Sequence, residues 1–307
     1  MQEKQKILIK YVPHGINSES FYKIGEDETY RAFKETIFNG KDIKYVVFWN
    51  SRNIQRKGPA NIMVAYRIFC DRIGKEASSK CALVMHTDPV DSNGTDLYAV
   101  RDAFCDDSYI NVYFSTDHLN TPQMNYLYNL ADVSLLTSSN EGWGLSLTES
   151  MMSETMIIAT VTGGMQDQMR FEKDGKWIDF NSDFPSNHRG TVKDCGEWAI
   201  PVFPSNLHIV GSIPTPYISD DRASAEDIAT AIGEVYKMST EERERRGKAG
   251  REWVLSEESG MSAKGMCNNV INAMDTVLEN FIPRPKYNIY KAKEVPKKYI
   301  THKITDY

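Results

Sequence analysis

The sequence predicts an α/β fold in which a parallel sheet is flanked by helices. Short apolar runs of strand length alternate with longer segments whose apolar residues recur at helical spacing. The chain has 307 residues, of which 41% are hydrophobic and 25% are charged. These values are typical of a globular protein that buries a sizeable core.

Five apolar runs are predicted to form buried strands, because uninterrupted hydrophobicity is typical of parallel strands that are covered on both faces. The runs recur at intervals of roughly 25 to 35 residues, which leaves room for a helix between successive strands. The predicted strands cover residues 45–49, 81–85, 109–113, 133–136 and 156–160.

Helices are predicted between these strands. Before the fourth strand, Thr121 offers an N-cap and Pro122 suits the first helical position. After the first strand, one helical face carries Ile62, Ala65, Tyr66, Phe69 and Ile73.

Helical spacing returns near the C-terminus. Ser224 is predicted to begin a helix, and Ser239 with Glu242 has the pattern of a capping box. Pro283 and Pro285 close the last helix. The inward residues of the first of these helices are Ile228, Ile232 and Val235, and the last helix carries Met266, Val270, Met274, Val277 and Phe281 at three-to-four spacing.

Two segments depart from this pattern. Residues from 173 to about 219 are rich in Gly, Pro, Asn, Asp and Ser, which predicts a long irregular insertion or a small hairpin. Residues 283–307 form a tail with seven Lys or Arg among aromatic residues. This tail could be a solvated extension, an arm that binds a partner, or a segment attracted to anionic lipid headgroups. The solvated extension is favoured, because charge runs are most often solvated.

Composition argues against several classes of protein. The net charge of -6 gives no reason to expect nucleic-acid binding. The five cysteines lie far apart without a C-x-x-C pair, so we expect buried thiols rather than disulfides or a zinc knuckle. No long apolar run and no signal peptide is visible, so we expect a cytoplasmic location, with membrane-surface contact only through the basic tail.

The segment that carries the most chemistry is Glu141-Gly-Trp-Gly-Leu-Ser-Leu-Thr-Glu149, which follows a predicted strand and begins a helix. The amides between Gly142 and Ser146 favour a bound phosphate, because the start of a helix presents unpaired N–H groups. The two carboxylates can accept hydrogen bonds from sugar hydroxyls. The alternative is that Glu141 caps the helix and Glu149 is a solvated surface residue.

A basic loop follows the first strand. Arg52 and Lys57 lie in Ser51-Arg-Asn-Ile-Gln-Arg-Lys-Gly58, where they can balance the charge of a diphosphate, and Arg56 can substitute for either. In a parallel sheet, this loop and the glutamate segment meet outside the carboxyl ends of the strands. Such a loop by itself would more often be a solvated face.

Together these segments resemble the family-4 retaining glycosyltransferases of GT-B fold, over about residues 12–171 and 223–254. Four motifs appear in the family's order. They are Val12-Pro-His-Gly-Ile-Asn17 with Phe21, the R-x4-K-G loop from Arg52 to Gly58, the S-x2-E-G-x-G-L-x3-E element from Ser138 to Glu149, and Thr162-Gly-Gly164. The resemblance implies that residues 1–282 are a Rossmann-like domain that binds a nucleotide sugar.

The resemblance also implies roles for individual residues. Glu141, the candidate catalytic residue, would contact the sugar hydroxyls, and Glu149 would contact the ribose hydroxyls. Arg52 and Lys57 would hold the diphosphate without a metal or cofactor, and a UDP-sugar is favoured over a GDP-sugar. The other implied donor-binding residues are Ser138, Gly142, Trp143, Gly144, Leu145, Gly163 and Gly164. Trp143 could instead pack against a neighbouring helix.

Several positions depart from the family's pattern. Gln166-Asp167 replaces a glutamate that is common after the Gly-Gly pair. His86, Asp88 and Asp91 follow the second strand and could suggest a metal site, although a hydrogen-bonded loop is favoured because the ligand spacing is not distinctive. We assign His14 to the cleft between domains.

The family's acceptor-binding domain has no counterpart here, because only eleven residues precede Val12. We therefore expect a partner chain that supplies this domain, or a homo-oligomer. The resulting prediction is a glycosyltransferase, or its donor-binding half, acting on a glycan, lipid or other acceptor. One alternative is a noncatalytic module that binds a nucleotide sugar or glycan, and another is an interaction protein that keeps only the fold.

Overall fold

The computed structural model describes residues 9–178, 188 and 190–283. The predicted basic tail from Arg284 lies outside the described residues, as does part of the predicted insertion. The described chain folds around a six-stranded parallel sheet with helices on both faces. This confirms the predicted α/β fold class.

All five predicted strands form, although the third begins three residues later than expected, at Val112. A sixth strand completes the sheet, and two further strand pairs form hairpins. The strands are β1 (Tyr45–Asn50), β2 (Cys81–His86), β3 (Val112–Ser115), β4 (Val133–Leu136), β5 (Met156–Thr160), β6 (Glu172–Lys173), β7 (Lys176–Trp177), β8 (Ala199–Val202), β9 (Asn206–Ser212) and β10 (Thr215–Arg222).

The strands of the sheet are ordered β3-β2-β1-β4-β5-β8, and every neighbouring pair is parallel. The chain therefore builds the sheet outward from β1 in one direction and then from β4 in the other. Between β1 and β4 the connections diverge, which leaves a crevice at the carboxyl ends of these two strands. The loops that follow β1 and β4 are the two in which the sequence places its chemistry.

The predicted insertion is only partly irregular. It contributes the edge strand β8 as well as the hairpins β6-β7 and β9-β10. The apolar run of β8 is short and contains Pro201, which lacks an N–H group and is tolerated at a sheet edge. That proline obscures the strand pattern in the sequence.

Ten α-helices lie in the described residues, together with a 3-10 turn at Gln55–Lys57. Those predicted from apolar spacing are confirmed, and four others were not predicted: α1, α3, α4 and α7. The helices are α1 (Glu28–Phe38), α2 (Pro59–Ile73), α3 (Lys75–Ser78), α4 (Leu97–Phe104), α5 (Thr121–Leu130), α6 (Leu145–Met152), α7 (Gly163–Met169), α8 (Ala225–Tyr236), α9 (Thr240–Leu255) and α10 (Ala263–Glu279).

Two predicted helix caps differ in part from the structure. The N-cap of α5 is Asn120, so Thr121 is already helical. The Asn120 side chain accepts from the amide of Gln123, and the Gln123 side chain accepts from the amide of Asn120. Ser239 caps α9 by accepting from the amide of Glu242. The carboxylate of Glu242 instead binds Arg245 and Arg246, which leaves only half of the predicted capping box.

The core lies on both faces of the sheet. Alternate residues of β1 point to opposite sides, so Val47 and Trp49 pack with α2 and α8 on one face. Phe48 packs with α5, α6 and α9 on the other face. Within the described ranges, no helix is both long and apolar enough to span a membrane.

Glycine is required where α9 crosses the chain between α6 and β5. A Cβ at Gly247 would lie 1.9 Å from the carbonyl oxygen of Glu154, which is main chain and cannot swing aside. A Cβ at Gly233 of α8 would come no nearer than 4.0 Å to Phe69. Both glycines are helical, so the same substitution should act in opposite directions.

We expect Gly247→Ala to lower the free energy of unfolding by about 2 kcal/mol, because overpacking forces the backbone to shift. Gly233→Ala should raise it by about 0.5–1 kcal/mol, because alanine favours a helix over glycine. Urea denaturation followed by circular dichroism would measure both changes. Equal effects of the two substitutions would contradict the close approach at Gly247.

Candidate functional site

An open cleft lies at the carboxyl ends of β1 and β4, where the two chemical segments meet. It has a volume of about 430 Å³. Its lining residues are His14, Asn50, Ser51, Lys57, Glu141, Trp143, Gly144, Leu145, Ser146 and Glu149. The predicted cleft position of His14 is therefore consistent with the structure.

The start of α6 faces this cleft. Gly144 is its N-cap, with a φ of 91°, a left-handed conformation that glycine adopts without strain. No side chain caps the helix. The first amides of a helix have no acceptor within the helix, so those at Leu145 and Ser146 are suited to an anion in the cleft.

Glu141 is held by two cations from the loop after β1. Lys57 and Arg56 both bind its Oε1, and the Arg56 Nη1 atom lies 3.0 Å away. The side chains of Glu141 and Lys57 are only 8% and 12% exposed. Burial lowers the pKa of Lys57, an effect that the neighbouring Glu141 opposes. The cluster therefore combines one buried carboxylate with two cations.

Arg52 lies apart from this cluster. Its guanidinium binds Asp91 through two hydrogen bonds, of 2.6 Å from Nε to Oδ2 and 3.1 Å from Nη2 to Oδ1. These bonds lower the pKa of Asp91 to about 2. Arg56 thus occupies the position beside Lys57 that the sequence assigned to Arg52.

The loop after β2 is held by hydrogen bonds, as favoured from the sequence. The Nδ1 atom of His86 lies 3.0 Å from the hydroxyl of Ser115, and Asp91 is engaged by Arg52. The described residues contain no group of three His, Cys, Asp or Glu side chains that could hold a metal ion. His86, Asp88 and Asp91 therefore do not come together as such a group.

Glu149 is half-buried and receives a hydrogen bond from a polar network that the sequence did not reveal. The Nδ2 atom of Asn50 donates to the Tyr128 hydroxyl over 2.8 Å, and that hydroxyl donates to Glu149. Burial raises the pKa of Glu149, and the bond from Tyr128 opposes this effect. From the sequence, Tyr128 was identifiable only as a residue of the helix predicted before the fourth strand, because its contact with Glu149 spans 21 positions of sequence.

The Gly163-Gly164 pair supports the glutamate loop from behind. The Gly164 amide donates to the Glu141 carbonyl over 3.1 Å, and a Cβ at Gly163 would lie 2.2 Å from that same oxygen. These glycines are not among the residues that line the cleft. Gly142 differs, because a Cβ at this position would point into open space.

Trp143 and Ser138 are both buried. The Nε1 atom of Trp143 donates to Thr148 over 3.0 Å, and its ring lies 6.1 Å from the ring of His14. Trp143 therefore packs in the core while one edge reaches the cleft. Ser138 is fully buried, and its hydroxyl has no hydrogen-bond partner within the described ranges. Ser138 lies below the cleft rather than in its lining.

The base of the β9-β10 hairpin binds the rim of the site. Asn140 donates to Asp220 over 2.7 Å, and Thr162 donates to Asp221 over 2.8 Å. The Asp221 amide also donates to the carbonyl of Ser139. No sequence signal links the hairpin to the rim, because Thr162 and Asp221 lie 59 residues apart and Asn140 and Asp220 lie 80 residues apart.

Residues 110–184 match the family described as glycosyl transferases group 1. The matched region includes Glu141, the start of α6 and Glu149, and excludes the loop of Arg56 and Lys57. Over these residues the match confirms the resemblance to glycosyltransferases that the motifs indicate. No curated protein sequence matches the chain significantly.

Several solved structures have the same fold. One is sucrose-phosphate synthase from Thermosynechococcus elongatus, which has 19% sequence identity and a TM-score of 0.57; the match covers 87% of this chain and 52% of the synthase. The C-terminal domain of a glycosyl transferase group 1 family protein from Francisella tularensis has 16% identity and a TM-score of 0.52, covering 78% of this chain and 96% of that one. HepE from Anabaena, solved with UDP and glucose, has 11% identity and a TM-score of 0.57, covering 87% and 57%. The chain thus spans about half the length of the first of these structures.

Asp167 of α7 lies near the family motif and has a strongly shifted pKa. Burial raises its pKa from 3.8 to about 6, although the Tyr11 hydroxyl donates to its Oδ2 atom over 3.0 Å. Because the folded-state pKa exceeds the unfolded value, the folded protein binds more protons between these two pH values. Stability linked to Asp167 is present at low pH and is lost as the pH rises through about 6.

We expect Asp167→Asn to become more stable than the wild-type protein as the pH rises from 4 to 7, because asparagine keeps an acceptor for Tyr11 without a buried charge. The relative gain should reach about 1–2 kcal/mol. Urea denaturation across this pH range would measure it. A stability difference that is constant with pH would contradict the raised pKa.

Proposed function

We propose that this chain, whose residues 110–184 match the glycosyl transferases group 1 family, is the donor-binding half of a glycosyltransferase. It would transfer a sugar from a nucleoside-diphosphate sugar, with UDP favoured as the nucleotide, to a glycan, lipid or other acceptor. The observation that carries the proposal is the cleft in which Lys57, Glu141, Glu149 and the start of α6 converge.

The diphosphate would bind between Lys57 and the first amides of α6. An ammonium group has three donors, so Lys57 can retain Glu141 while it donates to a phosphate oxygen. Arg56 is bound to the same carboxylate and adds a second positive charge. These groups would balance the charge of the leaving nucleoside diphosphate as the bond to the sugar breaks, without a divalent metal.

The two carboxylates would recognise hydroxyl groups on either side of the diphosphate. Glu141 precedes α6 and would accept from the sugar, while Glu149 lies within α6 and would accept from the ribose. Lys57 and the main chain of Gly164 restrict the position of Glu141, which supports this role. Restricting the position of a hydrogen-bonding group lowers the entropy lost when a ligand binds.

The comparisons support the choice of nucleotide. HepE shares the fold and was solved with UDP and glucose, which favours UDP for this chain as well. Retention of configuration at the sugar follows from the resemblance to the family-4 enzymes. The acceptor would be selected by a second domain or a partner chain, consistent with a chain that spans 52% of the synthase it matches.

A noncatalytic module that binds a nucleotide sugar is the second candidate. The chain covers 96% of the Francisella structure, which is a C-terminal domain alone, and such a domain could bind a donor without transferring its sugar. Both candidates require donor binding in the cleft. Release of free sugar from a UDP-sugar donor, or its transfer to an added acceptor, would distinguish the enzyme from the binding module.

We expect UDP to bind more tightly than GDP, and Lys57→Ala to weaken UDP binding by about tenfold or more, because hydrogen bonds to charged groups contribute about 1.5–3 kcal/mol. Calorimetric titration would measure both, using UDP, GDP, UDP-glucose and GDP-mannose. The affinities should not change in the presence of a metal chelator.

Arg52→Ala is the matched control. Both variants lose one cation from the same loop, but the structure places Arg52 on Asp91 and outside the cleft lining. Arg52→Ala should therefore weaken UDP binding much less than Lys57→Ala. Absence of UDP, GDP and sugar-nucleotide binding by the wild-type chain would overturn the proposed donor site.

The hydrogen bonds that connect Asn50, Tyr128 and Glu149 give a further prediction. We expect Tyr128→Phe to weaken UDP binding by about fivefold, because Glu149 loses the hydrogen bond that orients it. Binding of 2′,3′-dideoxy-UDP should change little, because this analogue lacks the hydroxyls that Glu149 would accept from. Calorimetry with both nucleotides tests this, and equal losses would indicate a purely structural role for Tyr128.

A further inference from the structure

The hairpin of β9 and β10 is an arm that stands outside the central sheet. Within the part of the chain that the structure describes, each of its strands pairs only with the other. Its apolar side chains are open to solvent: Ile213 is 100% exposed, Tyr217 is 74% exposed and Ile209 is 64% exposed. A two-stranded hairpin without a packed face is marginally stable, so this arm is suited to binding a further surface.

The base of the arm is fixed. Asp220 and Asp221 are buried and bind Asn140 and Thr162 at the rim of the cleft. The exposed part therefore projects from a firm attachment rather than from a loose loop. An arm of this kind presents its strands in a defined direction.

The two edges of the arm are not equivalent. β10 contains Pro216, and its pairing is irregular between Thr215 and Ile218, which makes it a poor template for another strand. β9 has neither proline nor an irregularity. No Lys, Arg, Asp or Glu occurs between Leu207 and Ser219. Charged residues and prolines usually protect exposed edges, and β9 lacks both.

We propose that β9 pairs with β9 of a second copy of this chain, antiparallel about a two-fold axis that passes through Ile209. The two arms would then form one four-stranded sheet. In this register Leu207 faces Gly211 and His208 faces Val210, so no carboxylate or lysine opposes its like. Ile209 and Leu207 lie on one face of the arm and would form an apolar stripe across the two copies.

A strand is a better occupant of this edge than a lipid bilayer. Hydrocarbon could cover Ile209, Ile213 and Tyr217. It offers no hydrogen bonds to the N–H and C=O groups along the edge of β9 that faces away from β10. A second β9 satisfies those groups and covers Ile209 at the same time. A second copy carries the same uncharged, proline-free edge, and this register brings no like charges together, which favours a second copy over an unrelated strand.

Charge substitution at Ile209 tests the self-pairing. Sedimentation velocity of the full chain should show a dimer, and Ile209→Lys and Ile209→Glu should each be monomeric, because two like charges would meet on the axis. A mixture of the two variants should recover the dimer, because Lys and Glu then face each other. Only pairing of position 209 with itself predicts this recovery.

Ile213→Lys is the matched control, because Ile213 is exposed at the tip of the arm and outside the proposed pairing. It should remain dimeric, and all three variants should keep the unfolding temperature of the monomer fold. A monomeric wild-type chain, a dimeric Ile209→Lys variant, or no recovery on mixing would overturn the proposal. Flotation of a monomeric wild-type chain with phosphatidylserine vesicles, lost in Ile209→Lys, would assign the arm to membrane binding instead.

Discussion

The close approach of the Gly163-Gly164 turn to the loop before α6 constrains the whole site. A Cβ at Gly163 would lie 2.2 Å from the Glu141 carbonyl, and one at Gly164 would lie 2.3 Å from the Gly142 carbonyl. Only glycine permits this contact between two backbones. It holds the Glu141 main chain against the start of α7, so the carboxylate and the first amides of α6 keep a fixed relation to each other.

On this backbone frame, the two glutamates receive different electrostatic environments. Glu141 is buried beside Lys57 and Arg56, so its negative charge is balanced within the protein. Glu149 has no cation among its hydrogen-bond partners in the described residues and is supported by the neutral hydroxyl of Tyr128. A charged neighbour suits a group next to a diphosphate, and a neutral donor suits a group that accepts from ribose hydroxyls.

Local sequence patterns predicted most of the fold, because strand and helix periodicity depends on neighbouring residues. The buried strands were predictable since each is a continuous apolar run between turns. β8 was missed because Pro201 interrupts a run of only four residues, and α7 was missed because it begins with Gly163 and Gly164. In these elements tertiary packing outweighs local propensity.

The sequence by itself determined which loops meet in the cleft, since Glu141, Lys57 and Glu149 follow predicted strands whose carboxyl ends share one edge. It could not determine that Arg56 rather than Arg52 joins Lys57, because both arginines fit the same loop. Only the tertiary structure decided this, by placing Asp91 within reach of Arg52. The partner of a long cationic side chain depends on which carboxylates folding brings near it, and local sequence carries no record of that distance.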